Sequence, residues 1–160
     1  MDFNERLQRA VERGQSRRDA ELRAQSQALL TEEQFRALHS QARLELSDHL
    51  EAALQQLADT FPGFTYQTVA TPEGFGAKIS RNDLRSRPGK PIGQEYSHLE
   101  LIIRSYSSGH LLEIGCRGAI ANKEVLQRSH FQMLNRLDID TFRETIDHWI
   151  LEYAEKFAAA

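Results

Sequence analysis

Between Thr31 and Phe61 large apolar side chains recur every three or four residues, and directly after Pro62-Gly63 the repeat drops to two. A chain that changes period in this way builds helix first and half-buried strand second, which points to the α+β class. The helical run opens on Thr31-Glu32-Glu33-Gln34, a capping box in which the Thr hydroxyl takes an orphaned amide and the Gln side chain reaches back. Phe35, Leu38, Ala42, Leu46, Leu50, Ala53, Leu54, Leu57 and Phe61 then share one face of a helix over 32–60, which Pro62-Gly63 stops. The globular mean is about 11 or 12 residues. The sequence reading therefore assigns the surplus length of this helix to burial against a second copy of the chain.

The period-two region predicts an antiparallel sheet of four to five strands. Strands are expected over about 64–70 and 75–81, joined by a turn at Thr71-Pro72-Glu73-Gly74, then 96–106, 111–121 and, as a fifth strand, 125–134. Residues 82–94, rich in Arg, Pro and Gly, read as a polar, mobile loop. In the strand over 96–106, Leu99, Leu101 and Ile103 point one way, while Tyr96, His98, Glu100, Arg104 and Tyr106 point the other. Even-length closure of the Ser107–His110 turn sets Glu100 opposite Arg117, Arg104 opposite Glu113, Leu101 opposite Cys116 and Ile103 opposite Leu112. Odd closure sets Ile103 against Glu113, which places a charge on the apolar face. The even register is the expectation, with Ile120 continuing the core face and Val125, Phe131 and Met133 turned inward on the fifth strand. Asp140, read as an N-cap, precedes Phe142, Ile146, Trp149, Ile150, Tyr153 and Phe157, which form the stripe of an amphipathic helix over 141–158 packed on one sheet face.

Residues 1–30 form a separate unit, a polar helical arm ahead of a single domain over 31–160. The arm carries six Arg and five acids, and its only large apolar groups after Phe3 are Leu7, Val11, Leu22 and the Leu29–Leu30 pair. A stripe that thin, with Gly14 in its interior at a cost of about 1 kcal/mol relative to Ala, leaves the helix marginal unless it orders against another surface. The arm has no long apolar run of the kind a signal peptide or a membrane span requires.

Chemical motifs fail on spacing. Gly89-Lys90 lacks the leading Gly and the following Ser or Thr of a phosphate loop, and Gly74-Phe75-Gly76 meets Ile79 where a third Gly belongs. Gly115-Cys116-Arg117-Gly118 has the form of a KH clamp but follows a strand instead of joining helices. His98-Leu99-Glu100 opens like a zinc-deaminase signature, yet Cys116 is the single cysteine. One cysteine also excludes an intrachain disulfide and every Cys-pair metal or redox motif, and the core-facing thiol is expected to be inert. No cofactor or metal is assigned, and cytoplasmic location is the expectation.

Two surfaces remain as candidates. The polar sheet face gathers Tyr96, His98, Glu100, Arg104, Glu113, Arg117 and, if the fifth strand exists, Arg128 and His130; imidazole beside carboxylate is the minimum for proton transfer near neutral pH. Against it stands the ordinary solvated face of an antiparallel sheet. The second surface is the run Lys78, Arg81, Arg85, Arg87 and Lys90, opposed only by Asp83 in a chain of net charge −3, a candidate anion-binding loop for phosphate or nucleic acid. No aromatic residue is interleaved there to stack bases. Two Arg against six acids over 31–61 and three basic residues against six acids over 136–156 offer that loop protein partners instead. The leading expectation is a non-enzymatic protein–protein interaction or adaptor module, a homodimer whose arm engages a further chain and which does not bind membrane. Nucleic-acid binding through 78–90 and an enzyme built on the polar face are the alternatives.

Overall fold

Five strands form a meander in the order β1-β2-β3-β4-β5, every neighbouring pair antiparallel. The computed structural model describes residues 2–28 and 30–160, with the backbone alone over 24–28; Met1 and Leu29, the latter part of the arm's apolar stripe, lie outside the described residues. Along the chain come α1 (Phe3–Ala28), α2 (Glu32–Thr60), β1 (Thr65–Thr71), β2 (Gly74–Arg85), β3 (Gly93–Arg104), β4 (Leu111–Ile120), β5 (Lys123–Met133), a 3-10 turn at Leu134–Arg136, and α3 (Ile139–Ala159). The α+β class and the packing of the C-terminal helix on one sheet face are as the sequence predicts.

Both long helices cover the same side of the sheet, α2 over β1 to β3 and α3 over β4 and β5, and they touch each other along their length. The core between the layers is fully buried at Leu46, Leu50 and Leu54 of α2, at Ile79, Leu99, Leu101, Ile103, Leu112 and Ile114 of the sheet, and at Phe142, Ile146 and Tyr153 of α3. Each such side chain contributes roughly 1.5–3 kcal/mol relative to exposure. The capping box of α2 forms in both directions: Gln34 N–H donates to Thr31 Oγ1 at 3.2 Å and Thr31 N–H donates to Gln34 Oε1 at 2.9 Å. Buried positions run along α2 from Phe35 to Leu57, so this sheet and α3 cover the helix along most of its length; Leu38, expected on the same face, is exposed instead. The expectation that its length requires a second copy is corrected on that ground.

The β3–β4 register has the even parity. Glu100 faces Arg117 and Leu101 faces Cys116, while Ile103 faces Ile114, not Leu112. Leu101 and Arg104 stand on opposite sides of the sheet. Residues 82–94 are only in part a loop, because Asn82–Arg85 pair with Gly93–Tyr96 and leave 86–92 as the connection. This ribbon runs past the core, with Leu84 and Ile92 exposed, so apolar alternation is no guide to it. β3 ends at Arg104, not 106, since Ser105 leaves the ladder and donates its N–H to Glu73 O at 3.0 Å and its hydroxyl to Pro72 O at 3.0 Å.

The largest correction falls on β5. The chain reverses at Ala121-Asn122, both in the left-handed region with φ of 50° and 70°, so that Ile120 pairs with Lys123 and Ala119 with Glu124. A bulge then sets Gly118 against Leu126 and leaves Val125 as the extra residue. Without it Val125 would face Gly118, and the odd-numbered residues would point inward as expected; with it the parity of the whole strand reverses. Leu126 is buried, Phe131 and Met133 are exposed on the open face, and Arg128 and His130 lie on the helix side. α3 is likewise capped two residues earlier than expected, by Asp138 and not Asp140: Asp138 accepts from Thr141 N–H at 3.3 Å and from the Thr141 hydroxyl at 2.8 Å.

Candidate functional site

The side of the sheet not covered by helices carries six of the eight residues proposed for the polar face. Tyr96, His98, Glu100 and Arg104 stand on β3, with Glu113 and Arg117 beside them on β4. Glu100, Arg104, Glu113 and Arg117 line one shallow concavity of about 370 Å³, together with Val69 and Ile102. Gly115 sets its floor, because a Cβ there would stand 3.4 Å from the Arg104 guanidinium. Among the described residues none of these four charges lies within 4.0 Å of an opposite one. Their direct opposition across the ladder spreads charge over the face without tying it into pairs, as a solvated antiparallel face requires.

Tyr96 and His98 fall outside the concavity and lean on each other, their rings 5.2 Å apart. The Nδ1 of His98 is buried with no hydrogen-bond partner among the described residues. Burial is the largest influence on this imidazole and holds its pKa below the ordinary histidine value, so the ring is neutral at neutral pH. Glu100, two residues along the same face, forms no hydrogen bond with it, and the reach that proton transfer needs is not met. His130 is not on this face at all. It stacks edge-on against Phe142 of α3 at 4.8 Å, and its Nε2 lies 3.2 Å from the Gln132 side-chain nitrogen. Arg128 crosses to the same side and bonds Glu152 at 3.0 Å. The β5 bulge thus removes one histidine from the proposed proton-transfer set.

The basic run does not converge either. Lys78 stands mid-sheet opposite Glu100, and Arg81 is held on the core side by Asp83 at 2.8 Å and the Pro62 carbonyl at 3.0 Å, beneath the rings of Phe64 and Phe157. Arg85 and Arg87 both turn to Glu95, at 3.2 and 3.6 Å. Lys90 stands alone at the tip, beside Gly89 with its φ of +74°. A strand sends neighbouring residues to opposite faces, and five cations close in sequence end in four separate environments.

Sequence reading missed a polar cluster where the start of α2 meets the β3–β4 turn. Glu32 accepts from the Tyr106 hydroxyl at 2.5 Å and from His110 Nε2, while Phe35 stacks flat on the His110 ring at 3.9 Å. The Arg36 guanidinium covers Tyr106 at 4.5 Å. Hydrogen bonds from Tyr106 and then His110 hold the Glu32 carboxyl below its usual range, and desolvation followed by the bond to Glu32 raises Tyr106. Behind this cluster His39 is buried and its Nε2 donates to Arg104 O at 3.0 Å; burial lowers its pKa. Contacts across more than seventy residues leave no local signal, and Glu32 reads in sequence as a helix-start acid and nothing more. The cluster clips the helix layer to the sheet.

Cys116 faces inward, and burial pushes its thiol up to about 12; such a group is a small hydrophobe, not a nucleophile. Among the described residues no cluster of His, Cys, Asp and Glu is arranged to hold a metal ion, and no helix is long and apolar enough to cross a membrane. Compared with family models, with curated proteins and with solved structures, the chain matches none.

Proposed function

We propose that the chain is a non-enzymatic protein–protein interaction module that works as a homodimer and uses α1 as its contact element. The observation that carries the reading is α1 itself, a helix of 26 residues exposed from Asp2 to Arg23, with Phe3 76%, Leu7 50%, Val11 51% and Leu22 51% exposed. Most helical stability in proteins comes from packing an apolar face, and among the described residues this face is left exposed. Full burial of Leu7 and Val11 against a partner would contribute roughly 1.5–3 kcal/mol each, enough to turn a marginal helix into a lasting one. We place the protein in the cytoplasm on its single cysteine.

Sedimentation equilibrium and amide exchange on the intact protein test this. The expected result is a dimer with protected α1 amides, and a monomer with rapidly exchanging α1 amides after Leu7→Glu and Val11→Glu together. Both positions are exposed, so the α2–sheet–α3 core is unaffected. A wild-type monomer whose α1 exchanges as fast as an unstructured peptide would remove the reading.

A further inference from the structure

On the solvent side of the helix layer a groove of about 460 Å³ runs between α2 and α3, with Ala53, Leu57, Ile150, Leu151 and Ala154 in its lining and Asp147 at one end. Leu151 is 67% exposed there. The two helices run parallel: Arg143 reaches Glu45, Asp147 bonds His49, and Phe157 meets Phe61. By helical spacing Glu45, Asp48 and Asp59 flank the groove on the α2 side, and Asp140, Glu144 and Glu155 flank it on the α3 side. All six are exposed. The one cation among them in the described residues, Arg143, is engaged by Asp140 at 3.0 Å and Glu45 at 3.9 Å. The surface is thus an apolar channel between two acidic banks.

The chain contains a segment whose pattern complements the channel and one of its acidic banks. On α1 the residues Phe3, Leu7 and Val11 follow one another at four-residue intervals, and Arg6, Arg13 and Arg17 form a row along one flank of that stripe. At 1.5 Å per residue α1 spans about 39 Å and α3 about 31 Å, so one helix covers the channel from end to end. Within one chain the channel is left open, because α1 is exposed along 2–23 while the Thr31 capping box fixes the backbone as it enters α2.

We propose that α1 of each chain lies in the α2–α3 groove of a second copy, its apolar stripe on the exposed Leu151 and the half-buried Ala53 and Ala154 and its arginine row against an acidic bank. This rests on the homodimer reading and adds to it the acceptor surface. The exchange is reciprocal, each chain giving one arm and receiving one, which closes the assembly at two copies. Charge sets orientation and partner choice, and the apolar stripe holds the helix in place.

Charge reversal on two chains tests it. One variant carries Arg6→Glu and Arg13→Glu on the arm, the other Asp59→Lys and Glu155→Lys on the banks, all at exposed positions that leave the fold, checked by circular dichroism, intact. Each variant alone is expected to self-associate at least about tenfold more weakly than wild type at low salt. An equimolar mixture is expected to recover the wild-type dimer, since both arm-to-groove contacts are then matched. A dimer that persists in the bank variant overturns the groove as acceptor while leaving the homodimer standing. Failure of the mixture to recover the dimer, with both variants folded, overturns the pairing of arm and groove between chains. A wild-type monomer at every concentration removes the homodimer reading itself.

Discussion

Replacing Gly118 by Ala tests the account of the β5 bulge and of the seat of α3 together. Gly118 is buried on the core face at the register shift, and a Cβ there would lie 2.9 Å from Cδ2 and 3.1 Å from Cε2 of Tyr153, and 3.2 Å from Cδ1 of Leu99. The Tyr153 ring has little room to move away. It is fully buried, and its hydroxyl donates to Ala119 O at 2.9 Å, the carbonyl next to the shift. Forcing a methyl into a packed core costs typically about 1–3 kcal/mol. Replacing Gly by Ala returns about 0.4–1 kcal/mol through the less flexible unfolded chain, so the net loss is about 1–2 kcal/mol. For a chain of this size each kcal/mol corresponds to about 2–4 °C in Tm. Urea unfolding of wild type, Gly118→Ala, Tyr153→Leu and the double variant forms a cycle. If the ring is the obstacle, the Ala substitution is harmless or stabilising once Tyr153 is gone, and the coupling exceeds about 1 kcal/mol. Additive losses would refute the reasoning, since they would place the cost of the methyl somewhere other than against the ring.

Three further outcomes follow from the geometry. His39 and His98 both have pKa values lowered chiefly by burial from an ordinary value of 6.5; the unfolded chain therefore takes up protons first as pH falls. Stability is expected to be full above about pH 6.5 and to decline on acidification through the depressed folded values, and His39→Gln with His98→Gln should flatten the dependence of the urea midpoint on pH. Cys116, with its thiol pushed up to about 12, should resist alkylation at pH 8 in the native protein and react at once in denaturant; rapid native labelling would contradict its placement. Replacing Glu32 by Gln removes the carboxylate that Tyr106 and His110 share, and the phenolate absorbance of Tyr106 should then titrate at lower pH than in wild type, with no change if the cluster does not form.

The α+β class, the capping box at Thr31, the extent of α2, the inward row Leu99, Leu101 and Ile103, and the burial of Cys116 are all legible in the amino-acid order. The reason is common to them: each depends on a period of 2 or 3.6 or on groups within one turn of each other, and local geometry converts that spacing into a face. Six of the eight polar-face residues follow from the same alternation. The other two, Arg128 and His130, do not, because one unpaired residue near Gly118 reverses the parity of everything after it. The basic run read as a loop fails for a related reason, its cations being distributed by strand alternation and drawn off to Asp83 and Glu95.

Periodicity states which residues share a side of an element. It leaves open where two elements cross, and so the Glu32–Tyr106–His110 clip, the channel between α2 and α3, and the burial of α2 against sheet and α3 all emerge only from packing. Each joins groups far apart in the chain, and their meeting depends on the summed twist, register and crossing of every element between them.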